Sequence, residues 1–97
     1  MSEIMQEFLA ALQPRVTGVL KGSAKLVITG EGSVMMDETG ARAGDGAADV
    51  TLKISEQVFR AIMDGSQNPV MAVMSGKLKV DGSATRALKI GQILTGA

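Results

Sequence analysis

Pro69-Val70-Met71-Ala72-Val73-Met74-Ser75-Gly76-Lys77-Leu78-Lys79-Val80-Asp81-Gly82 is the stretch from which the architecture can be read. Asn68 supplies a helix cap, and Pro69 takes the first helical position, where a missing N–H leaves no bond unmade. The run from Val70 to Met74 is apolar on nearly every side, so this short helix has to be covered on most sides by protein or by ligand. Gly76 ends it. From Lys77 the period becomes two: Leu78 and Val80 fall on one face, and Lys77, Lys79 and Asp81 on the other. That is a strand in a sheet with one wet face.

Downstream, Ser83 caps a last helix in which Ala84, Ala87, Leu88, Ile90, Gly91 and Leu94 form a broad apolar arc, leaving Thr85, Lys89 and Gln92 outside. Upstream, Ser55 caps a helix whose stripe of Val58, Phe59, Ile62 and Met63 closes at Gly65. Ala48 to Ile54 reads as a strand with Val50, Leu52 and Ile54 inward. Leu26 and Ile28 begin a hairpin through Gly30-Glu31-Gly32 into Ser33–Asp37. Asp37-Glu38-Thr39-Gly40 is a second turn, Ala41–Ala43 a short strand, and Gly44-Asp45-Gly46 turns the chain again. At the start, from Ser2 onward, Ile4, Met5, Phe8, Leu9, Leu12, Val16, Val19 and Leu20 share one side of a helical wheel, with a kink or break expected at Pro14. The fold class is therefore α+β: an antiparallel sheet of four to five strands with helices packed on one face.

The chain has 97 residues with no linker-like run, which predicts one domain over residues 1–97. Its ten basic and ten acidic residues balance, so nothing gathers nucleic acid. Cysteine and histidine are absent, which removes disulfides, thiol nucleophiles, imidazole bases and the commonest zinc ligands. No catalytic residue, metal or cofactor is expected. Asp37, Glu38, Asp45 and Asp49 lack the calcium-loop spacing, and Gly44-Asp45-Gly46 precedes a strand and opens no helix, unlike a phosphate loop. The N-terminus is acidic and helical, no apolar run reaches a membrane span, and Thr95-Gly96-Ala97 is no peroxisomal address, so a cytoplasmic protein is expected.

The segment Pro69–Gly82 resembles the signature of the sterol carrier protein type 2 family: proline, a short apolar helix, Ser/Thr-Gly-Lys-Leu/Ile-Lys-Val/Ile, and a glycine leading into a final helix, matched here by Ala87-Leu88-Lys89-Ile90. Ala48-Asp49-Val50-Thr51-Leu52-Lys53-Ile54-Ser55 resembles the family's fourth strand, with Phe59 and Gly65 in place behind it. The likeness covers Ala48 to Leu94 in residues and the first half in the order of elements. It implies a hydrophobic tunnel between sheet and helices holding a sterol, fatty acyl chain, acyl-CoA or phospholipid, with no catalysis by the domain.

The residues expected to wall that tunnel are Phe59, Ile62 and Met63, then Val70, Met71, Val73 and Met74, then Leu78 and Val80, and finally Ala87, Leu88, Gly91 and Leu94. Any one of them has an ordinary role in core packing, and the lipid reading rests on the set. An acyl chain gains ~0.8 kcal/mol per buried CH₂. An empty dry cavity of ~300 Å³ would cost ~7 kcal/mol, comparable to the stability of such a domain. The pocket should therefore either collapse onto flexible methionines or hold lipid. The expected function is lipid binding, transfer or presentation. The alternative is an interaction module docking on an enzyme of lipid or isoprenoid quinone metabolism. A lipid ligand, a lipid-metabolising enzyme and transient membrane contact are the partners these readings admit. Lys77, Lys79, Arg86 and Lys89 form a mild basic patch, suited to anionic headgroups or an acyl-CoA phosphate but most simply a solvated face.

Overall fold

The computed structural model describes residues 3–94; the helix start read at Ser2 and the Thr95–Ala97 terminus lie outside them. In chain order the elements are α1 (Glu3–Val16), β1 (Ala24–Ile28), β2 (Gly32–Asp37), β3 (Gly40–Ala43), β4 (Val50–Ile54), α2 (Glu56–Asp64), α3 (Pro69–Met74), β5 (Leu78–Asp81) and α4 (Ala84–Leu94). The α+β class holds, with a five-stranded sheet ordered β3-β2-β1-β4-β5.

The sheet is mostly, not wholly, antiparallel. β1 and β4 pair in parallel, Leu26 opposite Leu52, while β1–β2, β2–β3 and β4–β5 are antiparallel. The departure comes from the segment read as a turn at Gly44–Gly46. It does not reverse into an adjacent strand but crosses the outer sheet face, which brings β4 in beside β1. The Gly44 N–H donates to the Ser33 carbonyl (3.1 Å), Asp45 pairs with Lys25 (2.9 Å), and Asp49 accepts from the Ser23 N–H (3.1 Å). Met35, which points outward, is thereby buried. The crossing also delays β4, which starts at Val50 and not at Ala48.

The inner face follows the predicted alternation. Leu26, Val34, Leu52 and Val80 line up across four strands by register, and all but the half-buried Val80 are fully enclosed. Helices cover this face: α1 over β3 and β2, α4 over β4 and β5. Met5, Phe8, Leu12 and Val16 are the buried edge of α1.

Pro14 does not split the helix in two. α1 runs through it and stops two residues later at Val16, with Leu20 N–H bonded back to the Val16 carbonyl (3.0 Å) and Gly18 at φ +75°. The missing donor of proline weakens the last turn without breaking what precedes it. As a result Val19 leaves the apolar face and is 54% exposed, while Leu20 stays buried.

The three caps read from sequence all form. Ser55 Oγ accepts from the Val58 N–H (3.2 Å), Asn68 Oδ1 from Val70 (2.8 Å) and Met71 (3.3 Å), and Ser83 Oγ from Arg86 (3.3 Å). Gly65, at φ +86°, closes α2 in the left-handed conformation that only glycine adopts without strain.

Candidate functional site

The thirteen residues expected to contact lipid divide by depth. Phe59, Ile62, Leu78, Ala87, Gly91 and Leu94 are buried in one contiguous core. Phe59 meets the ring of Phe8 edge-on, with centroids 4.6 Å apart and planes at 72°. Met63, Val73 and Val80 are half-buried around its margin, and Leu88 is half-buried on α4. Val70, Met71 and Met74 face solvent along α3, Met71 at 57% and Met74 at 76% exposure. The structure therefore joins the side chains of eight of them into one body of packing and leaves the outer side of the short helix bare. Pro69 and Ala72 anchor α3 inward, with Val73 half-buried against the core beside them. Gly91 is where α4 meets Pro69 at the head of α3.

In a second set of residues only Arg86 and Lys89 were noted from the sequence as candidate ligand contacts, in a basic patch with Lys77 and Lys79. Val19, Leu20, Lys21 and Gly22, after α1, face Arg86, Lys89, Ile90 and Ile93 on α4 across an open groove of about 460 Å³. Its floor is apolar: Leu20 and Ile90 are buried and Ile93 half-buried. Its rim is basic. Arg86 is fixed by a bond from Nη2 to the Lys21 carbonyl (2.7 Å) and by an ion pair with Asp49 (3.4 Å). Lys21 and Lys89 pair with no carboxylate among the described residues. Glycine suits position 22, because its φ of +75° is one that L side chains rarely adopt and a Cβ would displace the Arg86 guanidinium and the Asp49 carboxylate. The sequence held a signal for half of this site, since Arg86, Lys89, Ile90 and Ile93 recur at helical spacing. The other half comes from the loop that the early end of α1 creates.

Two further hollows are less suited to an apolar ligand. One of about 480 Å³ lies between α1 and α2 beside Phe8, Arg15 and Met63. It is crossed by Arg60, which pairs with Glu7 (2.8 Å) and Glu56 (2.9 Å) and stands 4.9 Å over the Phe8 ring. Another, of about 530 Å³, is bounded by the polar loop Gly65–Asn68 and by Gln92.

Among the described residues no charged or polar side chain is buried, and no three potential metal ligands gather. The acids that are perturbed are all shifted downward: Glu7 by Arg60, Asp37 by Thr39 and Arg42, Asp49 by the Ser23 N–H, and Asp64 by Ser66. Such groups are firmly ionised, the opposite of a carboxyl held protonated for acid catalysis. No helix among the described residues is long and apolar enough to cross a membrane.

Comparison with known proteins agrees with the geometry. The SCP-2 sterol transfer family profile matches residues 4–95. A hydroxysteroid dehydrogenase-like protein 2 of Xenopus tropicalis is 31% identical over 105 residues, covering 96% of this chain but only 25% of that protein. A fatty acid-binding protein of Yarrowia lipolytica is 36% identical over 58 residues, 60% of this chain and 45% of that one. The solution structure of a sterol carrier protein-2 from Aedes aegypti in complex with palmitate superposes with a TM-score of 0.78 at 23% identity, covering 97% of this chain and 96% of that one.

Proposed function

This chain belongs to the SCP-2 sterol transfer family, and on that premise we propose that it binds and hands over a single-chain lipid with an anionic head, carrying out no chemistry of its own. The observation that supports this reading is the groove between the α1–β1 loop and α4. It combines an aliphatic floor of Leu20, Ile90 and Ile93 with a cationic rim of Lys21, Arg86 and Lys89. A carboxylate or phosphate is matched by the rim and a hydrocarbon tail by the floor, and about 460 Å³ falls within the usual range for small-ligand sites. To go deeper than the groove the tail has to part the packed side chains of Leu78, Ala87 and Leu94, the aliphatic wall expected from sequence. Flexible methionine and leucine side chains at the margin of that wall make room for it.

Palmitate, present in the mosquito structure, is the probe. Delipidated protein is expected to show a one-to-one palmitate adduct in native mass spectrometry. At about 100 times Kd, binding adds about 2.7 kcal/mol, a rise in Tm of roughly 10–20 °C for a domain this size. Lys21→Gln with Lys89→Gln should weaken palmitate and leave the uncharged analogue hexadecanol unaffected. No adduct and no thermal shift would overturn the proposal.

A second reading is supported by the frog relative, whose name is that of a dehydrogenase and of which this chain spans a quarter. Here the domain docks on an enzyme of lipid or isoprenoid quinone metabolism. Recovery with a protein partner and no lipid in organic extract would favour it.

A further inference from the structure

The basic groove has two walls, the α1–β1 loop on one side and α4 on the other, and Arg86 reaches from wall to wall. From the first turn of α4 its Nη2 donates to the Lys21 carbonyl (2.7 Å), while Nη1 stands 3.4 Å from the Asp49 carboxylate just ahead of β4. That carboxylate also accepts from the Ser23 N–H (3.1 Å), and Ser23 Oγ accepts in turn from the Asp49 N–H (3.1 Å). Arg86 therefore straps the loop to α4 at the Gly22 end of the groove. Ile93 lies two turns further along the helix, about 10 Å away.

The strap is firm in geometry and weak in energy. The side chains of Arg86 and Asp49 are 38% and 54% exposed, so water competes for both partners and the pair is worth little. Lys21 and Gly22 are exposed as well, and the stretch under the strap is not held by the core. At Gly22 the guanidinium fills the space that a Cβ would take, so a small shift of the loop frees it. An anion in the groove offers that guanidinium a partner at least as good as Asp49, since both are charge-assisted.

Resting on the reading of this groove as a lipid site, we propose that Arg86 is its gate. Closed, it bonds Lys21 and Asp49 and bars the space between the walls. An uncharged lipid passes when the strap opens by itself and finds it closed again afterwards. An anionic head displaces Asp49, takes the guanidinium and so opens the groove for its own tail. Head charge is thereby read in the rate of entry as well as at equilibrium, and Asp49 is the positioning residue that holds the gate shut.

Stopped-flow mixing of the full chain with a pyrene-labelled fatty acid, and with the corresponding pyrene-labelled alcohol, tests the proposal. Arg86→Met keeps the aliphatic stem but bonds neither Lys21 nor Asp49. The alcohol should then enter and leave about tenfold faster, the factor by which a charge-assisted bond at a half-exposed site favours the closed state. Asp49→Asn still accepts from the Ser23 N–H but no longer competes for the guanidinium, so the fatty acid should bind about two- to fivefold tighter. Both variants should keep wild-type circular dichroism, since neither side chain is buried. A third measurement needs no substitution: in the wild type, entry of the uncharged alcohol should quicken from about 20 to 500 mM salt as the Arg86–Asp49 pair is screened. Alcohol rates in Arg86→Met that match the wild type, or wild-type rates indifferent to salt, would overturn the gate and leave the lipid reading standing. Weaker fatty-acid binding by Asp49→Asn would also overturn it, because Asp49 would then support the site and not compete with the ligand. Binding of neither probe by the wild type would overturn both readings.

Discussion

Gly91 of α4 lies so close to Pro69, the first residue of α3, that a Cβ at position 91 would stand 2.5 Å from the Cβ of Pro69. A proline ring has no rotamer with which to withdraw. The two helices therefore cross where one has no side chain and the other has a rigid one, and the placement of α3 depends on that pairing. Gly91→Ala is expected to cost about 1–3 kcal/mol by overpacking, offset by at most about 1 kcal/mol of helix propensity. Urea denaturation should show a lower midpoint at unchanged slope. A stabilised variant would mean that α3 yields freely.

Asn68 holds the same end of α3 from the preceding residue. Its Oδ1 accepts from both Val70 and Met71, and a helix of six residues has little else to order its first turn. Asn68→Ala should cost about 1 kcal/mol, and Asn68→Asp much less. Faster amide exchange at Val70 and Met71 in the alanine variant is the local readout. Unchanged exchange would show that the cap does not hold α3.

Arg15 ties three helices together. From α1 its Nη1 donates to the carbonyl of Met63 at the end of α2 (3.1 Å) and to that of Leu94 on α4. Arg15→Met keeps the aliphatic stem and removes the donors. A loss of about 1.5–3 kcal/mol is expected for charge-assisted bonds, measured by chemical denaturation. A loss below a few tenths would mean that water replaces the guanidinium at no cost.

Stability should respond to acid and little else. Asp37 is held down at about 2, from an ordinary 3.8, by the Thr39 hydroxyl first, then Arg42, then the Thr39 N–H. Glu7, Asp49 and Asp64 are lowered as well. Because these folded-state values lie below the unfolded ones, the unfolded chain takes up protons first. Their contribution is complete above the unfolded values and is lost as pH falls toward the folded ones. With no histidine or cysteine in the chain, Tm should be flat between about pH 5 and 8 and decline below about pH 4. Asp37→Asn should make that decline shallower. A Tm step near neutrality would contradict this assignment.

Much of this was legible in the chain because it depends on short-range rules. The caps at Ser55, Asn68 and Ser83, the stop at Gly65 and the alternation of Val50, Leu52 and Ile54 each need only a few neighbouring residues. The parallel pairing of β1 with β4 was not legible, because a glycine-rich stretch looks the same whether it reverses the chain or crosses a sheet. The basic groove was half legible. Arg86, Lys89, Ile90 and Ile93 share a helical stripe, but their partners Leu20 and Lys21 depend on where α1 ends.

By itself the sequence determined the elements, their order, the inward face of most of them and the family likeness, because backbone preference and hydrophobic periodicity are local properties. Only the tertiary structure decided which apolar residues are core and which face water. Phe59 and Met71 belong to equally apolar stripes, yet one is enclosed and the other 57% exposed. The physical reason is that α3 is anchored along one side, through Pro69, Ala72 and the half-buried Val73, and burial depends on what the rest of the chain brings to each side of a helix.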